Sequence, residues 1–227
     1  MSTNADERRA RLLDEVRDGA RHIQQLADQF RVSPSTIRRD LSLLARDGHV
    51  VRTYGGAVER GLPEKLGPHA TEKDEIVRKA ADLIQDGEVI VLDAGTTTGR
   101  LATHLAHRKL TVVTNGLAAI VVLAESTTVD LIVLGGRLRH PNGAIVGATV
   151  TEQLRHIGAD RVFLGTDGVS EQRGLCSPSL EQAHLKHAML HCARHAYVVA
   201  DRSKIGQEPF NFWTPLDRPH TVLTNSS

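Results

Sequence analysis

The sequence predicts a two-domain α/β protein: a small unit of three helices and a β-hairpin, then a larger domain in which helices cover both faces of a parallel sheet. Three observations carry this. The first sixty residues hold three short stretches of helical periodicity, a charged stretch with two glycines and two prolines follows, and beyond it five continuously apolar runs alternate with helical segments. With 227 residues, 40% of them hydrophobic, the chain is long enough to bury a core in each domain.

Bulk composition narrows the function. A formal net charge of +1 means that the molecule is no polycation, so attraction to a nucleic acid has to come from a local face. No stretch approaches the roughly 20 apolar residues of a membrane span. The opening "MSTNADERRA" lacks the apolar core of a signal peptide, so a soluble cytoplasmic protein is expected. Cys176 and Cys192 have neither CxxC spacing nor the density of a secreted scaffold, and are expected as reduced thiols without a catalytic role.

In the first sixty residues the cationic side chains are all arginine, eleven of them against nine acids. Leu12, Leu13 and Val16 share one face of a first helix that stops near Asp18-Gly19. Ile23, Leu26, Ala27 and Phe30 line a second, whose start is less regular because His22 stands where Ser, Thr, Asp or Asn caps best. The third is well marked: Ser33 can cap the free amides, Pro34 takes the first helical position, and Gly48 lies past the end. Ile37, Leu41 and Leu44 share its inner face, while Ser35, Arg38, Arg39, Ser42 and Arg46 cluster opposite, with Asp40 toward the border.

A solvated helix face normally mixes charges to gain intrahelical pairs; this one collects arginine and small hydroxyls, as a polyanion requires. Three helices with the last so decorated describe a helix-turn-helix whose third helix enters the major groove. Arg38 and Arg39 can reach guanine N7 and O6, and Ser33, Ser35, Thr36, Ser42 and Arg46 suit phosphates or bases. After Gly48, "HVVRTYGGAV" predicts two short strands as a wing, with Arg52 and Tyr54 toward the backbone or minor groove. Periodicity alone also fits a helical protein–protein module.

The run "VSPSTIRRDLSLLARDGHVVRTYGGA" decides between them, because it is very similar to the winged helix-turn-helix of the DeoR family of bacterial transcriptional regulators. That family's V-S-x-x-T-I-R-R-D-L run and R-x-x-G-G-A ending are matched by Ser33, Thr36, Ile37, Arg38, Arg39, Asp40, Leu41, Arg52, Gly55, Gly56 and Ala57. The domains expected are therefore a DNA-binding unit over 1–58, a hinge over 59–70 (beginning "ERGLPEKLGPH") and an α/β domain over 71–227.

In the α/β domain, an amphipathic helix over Thr71 to Gln85 ends at Asp86-Gly87. The strands expected are 89–93, 110–114, 130–136, 161–165 and 196–201, all apolar on both faces. Ligands of such sheets bind beyond the carboxyl ends of the strands. There the first strand is followed by Asp93-Ala94-Gly95-Thr96-Thr97-Thr98-Gly99, whose helix-opening amides and hydroxyls could cradle a phosphate; a plain capping turn with Thr96 or Thr97 as N-cap reads equally well. The turn matches neither a Walker pattern nor a GxGxxG, so no nucleotide or other cofactor is expected.

The other strand ends, Thr114-Asn115-Gly116, Gly135-Gly136-Arg137, Gly165-Thr166-Asp167-Gly168 and Asp201-Arg202-Ser203-Lys204, add polar groups around one rim. Asp93 and Asp167 can accept from sugar hydroxyls, and Lys204 and Lys186 can face a phosphate; pairing of Glu181 with Lys186 along one helix is the alternative.

Residues 72 to 224 also resemble the sensor domain of the DeoR family, through "LDAGTTT", "LTVVTNGL", "LGGRLR", "VGATV", "FLGTDGV", "LEQAHLKHAM" and "ADRSKIG". That domain's fold is similar to ribose-5-phosphate isomerase and glucosamine-6-phosphate deaminase. The resemblance implies a repressor of a carbohydrate operon, released when a phosphorylated sugar binds, working as a dimer or larger oligomer on operator DNA. It places Asp93, Gly95, Thr96, Thr97, Asn115, Asp167, Lys186 and Lys204 in the pocket, with Thr98 and Gly135 beside them. Gln182 departs from the family, which is usually acidic there, and the last strand, near "HTVLTN", is expected to be short.

An isomerase or deaminase with a DNA-binding appendage is the competing reading. Asp167, Glu181 and Lys186 could move a proton, but the isomerase loop resembles D-G-A-D-E where this chain has "GTDGVS", so the second acid and the glutamate are missing and no enzyme is expected. His184, His187, His191 and His195 stand at helical spacing, the last three in one stripe. With no acid or thiolate to complete the set, a solvated or subunit-facing stripe is expected and no metal site.

Overall fold

The computed structural model describes residues 4–17, 21–46, 50–53, 56–59, 70–139 and 142–226. Asp18-Gly19, Gly48, Tyr54, Gly55 and most of the expected hinge lie outside the described residues, as do the side chains of Arg46 and Arg52. The chain divides into two units, Met1–Pro68 and His69–Ser227.

The first unit contains α1 (Asn4–Arg17), β1 (Arg21–His22), α2 (Ile23–Phe30), α3 (Pro34–Arg46), β2 (Val50–Thr53) and β3 (Gly56–Glu59). Its core is the set that helical periodicity selects: Leu12, Val16, Leu26, Ala27, Ile37, Leu41 and Leu44. The turn between α2 and α3 closes by two bonds, Val32 N to Ala27 O at 3.0 Å and Arg31 N to Asp28 O at 3.2 Å. Arg31 sits there at φ 53°, in the left-handed position that such helix ends usually give to glycine.

Two features differ from the expectation. His22 belongs to a two-residue strand, β1, which pairs with β3, so the wing is a three-stranded sheet in the order β1-β3-β2. Asp40 is not at the border of an exposed face. It is 4% exposed and accepts a 2.7 Å hydrogen bond from Arg8 Nε, which ties α1 to α3. An acid has thus been turned inward, leaving the outer face of α3 more cationic.

The second unit runs α4 (Ala70–Asp82), β4 (Val89–Leu92), α5 (Thr96–Leu105), β5 (Leu110–Thr114), α6 (Leu117–Leu123), β6 (Val129–Val133), β7 (Arg137–Arg139), β8 (Ala144–Val146), α7 (Ala148–Leu154), β9 (Ala159–Gly165), β10 (Gly168–Ser170), β11 (Gly174–Ser177), α8 (Leu180–Cys192), β12 (Ala193–Val199), a 3-10 turn (Arg202–Lys204), β13 (Phe212–Thr214) and β14 (His220–Leu223). Six strands form a parallel sheet in the order β14-β12-β9-β4-β5-β6.

The continuously apolar runs are explained by two-sided burial. Ile90, Leu92, Val112, Phe163, Tyr197 and Val199 face a core shared with α4, α5 and α6. Their neighbours Val91, Val113, Val162, Leu164, Ala196 and Val198 face a second core with α7 and α8. Phe163 and Tyr197 stack with centroids 5.1 Å apart. Near the sheet's amino-terminal edge, Arg161 binds Glu88 through Nε and Nη2 at 2.8 and 2.9 Å and donates to Tyr197 Oη at 2.9 Å.

The β7-β8 hairpin and the small sheet β10-β11-β13 are additions to the expected pattern. Each strand is three or four residues long, too short to show alternation. The histidine stripe is also corrected: α8 ends at Cys192, Ala193 is already extended, and His195 lies in β12, paired with Arg161 of β9.

Candidate functional site

Strands β5 and β6 follow β4 on one side of the sheet, whereas β9, β12 and β14 extend it on the other. The order therefore reverses between β4 and β9, and at such a reversal the following loops diverge and leave a crevice. Asp93, just beyond β4, and Gly165-Thr166-Asp167, at the end of β9, are the residues at that point.

Asp93 is 3% exposed and its backbone amide donates to Phe163 O at 3.1 Å. Its carboxylate accepts from the amides of Ala94 (2.8 Å) and Gly165 (3.2 Å) and from Nζ of Lys186, which reaches it from α8. Lys186, 5% exposed, also donates to Gly165 O at 2.6 Å. Burial pushes the Asp93 carboxyl above its ordinary pKa, against the pull of Lys186 and the two amides. The two charges are thus spent largely on each other. The expected alternative, Glu181 with Lys186, does not form: Glu181 binds Arg137 at 2.7 Å.

Immediately after Asp93 comes the amino-terminus of α5. Its N-cap is Gly95, in extended backbone, and no side chain caps the first turn. Neither Thr96 nor Thr97 is the cap; Thr98 Oγ1 instead donates to Gly95 O at 3.1 Å. Among the described residues no side chain accepts from the opening amides of α5, and such amides carry partial positive charge. Thr96 is exposed, Thr97 and Thr98 buried.

The remaining residues do not all gather at this point. Lys204, on the 3-10 turn, donates to Thr166 O at 2.6 Å, and Asp167 is exposed beside it in sequence. Asn115, 1% exposed, gives Nδ2 to Ile145 O at 3.1 Å, while its Oδ1 has no hydrogen-bond partner among the described residues. Gly135 stands apart, beyond β6, two strands from β4, with its amide donated to Gln153 Oε1 at 3.0 Å. Gln182 is buried in the first turn of α8, where its amide meets the Ser179 cap at 3.3 Å.

Two cations were not picked out from sequence. Lys73 lies on α4, and burial lowers its pKa, followed by the nearness of Lys204, with Asp201 opposing. Arg139 lies on β7, and its guanidinium is lowered by burial while Asp167 pulls the other way. The alternation of Arg137 and Arg139 in "GGRLR" is a strand signal for the second; one of two lysines on an amphipathic helix offers no such signal for the first. Cys176 is buried with its thiol pushed up to about 11, so it stays protonated at neutral pH.

In the first unit, Ser33 accepts from the Thr36 amide at 3.1 Å and its hydroxyl meets those of Ser35 and Thr36 at 2.7 and 2.8 Å. Arg38 and Arg39 are exposed, and among the described residues no acid pairs with either. Ser42 Oγ donates back to Arg38 O at 2.6 Å. Among the described side chains of α3, Ser35, Arg38 and Arg39 are the exposed ones.

The sequence matches the DeoR-like helix-turn-helix domain over residues 8–60 and the DeoR C terminal sensor domain over residues 68–226. It is 36% identical over 212 residues to the HTH-type transcriptional regulator FruR of Bacillus subtilis (strain 168), covering 90% of this chain and 84% of that one. It is 32% identical over 235 residues to the lactose phosphotransferase system repressor of Lactococcus lactis subsp. lactis, covering 98% and 92%. Among solved structures, translation initiation factor eIF2B delta from Chaetomium thermophilum is similar with TM-score 0.51 at 15% identity, over 98% of this chain and 72% of that one. Ribose 5-phosphate isomerase A from Methanocaldococcus jannaschii is similar with TM-score 0.45 at 18% identity, over 60% and 55%. No helix among the described residues is long and apolar enough to cross a membrane. With one domain match on each of its two units and relatives aligned across nearly its whole length, the chain belongs to the DeoR family of helix-turn-helix transcriptional regulators.

Proposed function

We propose that this regulator is a cytoplasmic repressor of a carbohydrate operon, held on its operator by α3 and the wing and released when a phosphorylated sugar binds the second unit. The observation that carries the reading is the start of α5: opening amides without a side-chain cap, at the reversal of strand order, beside a carboxylate already neutralised by a lysine. A phosphate needs such amides and is poorly tolerated beside an unpaired carboxylate. The phosphate would rest on Gly95, Thr96, Thr97 and Thr98, with Lys204 adding charge. Asn115 Oδ1, Asp93 and Asp167 would accept from sugar hydroxyls.

The relationship to a lactose phosphotransferase system repressor supports a sugar-linked effector. Two of the three candidate proton-transfer residues are engaged elsewhere, Lys186 with Asp93 and Glu181 with Arg137, which supports a sensor without turnover. On DNA, Arg38 and Arg39 would read guanine edges, with Ser33, Ser35, Thr36, Ser42, Arg46, Arg52 and Tyr54 on phosphates or the minor groove. A single winged helix makes a modest interface, so at least a dimer on repeated half-sites is expected. Linkage requires effector and operator to weaken each other by one factor, with a coupling of about 1–3 kcal/mol.

Thermal-shift screening against phosphosugars, followed by a DNA mobility assay with any that bind, tests this. A phosphosugar that stabilises the protein should release operator DNA, whereas its unphosphorylated form should not. Interconversion of sugar phosphates without binding to the promoter region at low salt would overturn the reading. Arg38→Ala should cost about 1–3 kcal/mol of specific binding and relax discrimination at one base pair.

A further inference from the structure

Helix α8 carries His187 and His191 one turn apart, and the segment between β13 and β14 brings an acid against both. Nε2 of His187 lies 3.0 Å from Asp217 Oδ2, and Nε2 of His191 lies 2.9 Å from Oδ1. The two rings are 4.6 Å apart between centroids. The acid that the histidine spacing lacked in sequence is thus supplied from 26 residues beyond His191.

We infer that His187, His191 and Asp217 form a surface site for a divalent transition metal ion of the zinc type, open on one side. Two imidazoles at i and i+4 on a helix with one carboxylate are a three-ligand donor set for such an ion. Their ligand atoms all lie within 4.8 Å of one another. A tetrahedral ion with bonds of about 2.0–2.1 Å holds its donors roughly 3.3 Å apart, so the ion replaces the bridging protons with small side-chain shifts. Calcium and magnesium want more oxygens than this set offers.

The position is also prepared and reachable. Arg218, next to Asp217, donates to Leu190 O at 2.8 Å and Arg194 O at 3.2 Å, pinning the segment to the end of α8 and the start of β12. The three ligand side chains are each 42% to 46% exposed, so an ion arrives from solvent without opening the fold. The neighbouring Cys192 is not a ligand. Its thiol is pushed up to about 11 by burial, and it donates to Met189 O at 3.2 Å. The remaining coordination position faces water and accepts a small ligand. The ion clamps the second half of α8, directly after Lys186, to the β13–β14 segment.

The test uses the full chain without an affinity tag, titrated with zinc by calorimetry and with cobalt by visible absorption. One ion per chain is expected, with His187→Ala, His191→Ala and Asp217→Asn each weakening zinc binding by about tenfold or more. Cys192→Ala should leave binding unchanged. Zinc should raise the unfolding temperature of the parent and not of the His187→Ala/His191→Ala variant; circular dichroism in chelator should be identical for both. Variants that bind zinc as the parent does, or a parent that binds none at micromolar zinc, would overturn the site. So would an Asp217→Asn variant whose only change is lower stability in chelator.

Discussion

The carboxylate of Asp93 and the ammonium of Lys186 meet across 93 residues of sequence, and both are almost fully buried. Their contact joins the end of β4 to α8 and, through Gly165, to the end of β9. The sheet reverses its strand order at that seam, so the pair lies at the floor of the candidate effector site.

Breaking this pair from one side should therefore be costly. Asp93→Asn leaves a buried ammonium facing only neutral carbonyl oxygens, and a loss of about 3–5 kcal/mol from the second unit is expected. The Asp93→Leu/Lys186→Met variant should recover part of that stability while abolishing the effector response. Chemical unfolding with a ligand thermal-shift assay measures both. An Asp93→Asn protein as stable as the parent would remove the structural role given to the pair.

Glu88 and Arg161 predict an acid dependence. Burial pushes the Glu88 carboxyl up, but the Arg161 guanidinium and the Gln85 amide outweigh it and hold the folded pKa below the ordinary value. A carboxyl depressed by folding stabilises above its unfolded pKa of about 4.3 and loses that contribution as pH falls through the folded value. Glu88→Gln should lower stability by about 1–3 kcal/mol at neutral pH, and the gap should close in acid. Urea unfolding as a function of pH measures it; a gap that stays constant into strong acid would contradict the assignment.

Gly99 sets the approach of α5 to α6. A Cβ there would lie 2.7 Å from Cβ of Ala118. Gly99→Ala should cost about 1–3 kcal/mol by overpacking. Adding Ala118→Gly should restore most of the loss by removing the clash, while the cost of a helical glycine moves from 99 to 118. Thermal unfolding of the single and double variants separates the clash from a helix-propensity effect, under which Ala118→Gly would only lower stability further.

Arg31 predicts a gain. At φ 53° a side chain bearing Cβ costs about 1–2 kcal/mol, part of which glycine returns as flexibility of the unfolded chain. Arg31→Gly should stabilise the first unit by about 0.5–1 kcal/mol. Unchanged stability would mean that the arginine side chain supplies a compensating contact, and operator affinity of the same variant would then reveal where.

Much of this protein was determined by local pattern. Helical spacing selected Leu12, Ile37 and Leu41 for the first core, because a 3.6-residue period writes one buried face directly into sequence. Two-sided burial wrote the parallel strands as unbroken apolar runs, and Ser33-Pro34 marked where α3 begins. The run around Arg38 and Arg39 was readable as part of a helix-turn-helix because that motif is contiguous in the chain.

Tertiary structure alone decided the pairings. Asp40 turned inward to Arg8 across 32 residues, Lys186 chose Asp93 over Glu181, and Asp217 closed on two histidines while His195 was carried away on β12. Charged side chains are long, their partners are set by where strands and loops end, and no period in the sequence records that distance. Burial then fixes the choice, since a charge taken out of water must meet its opposite wherever the fold has put it.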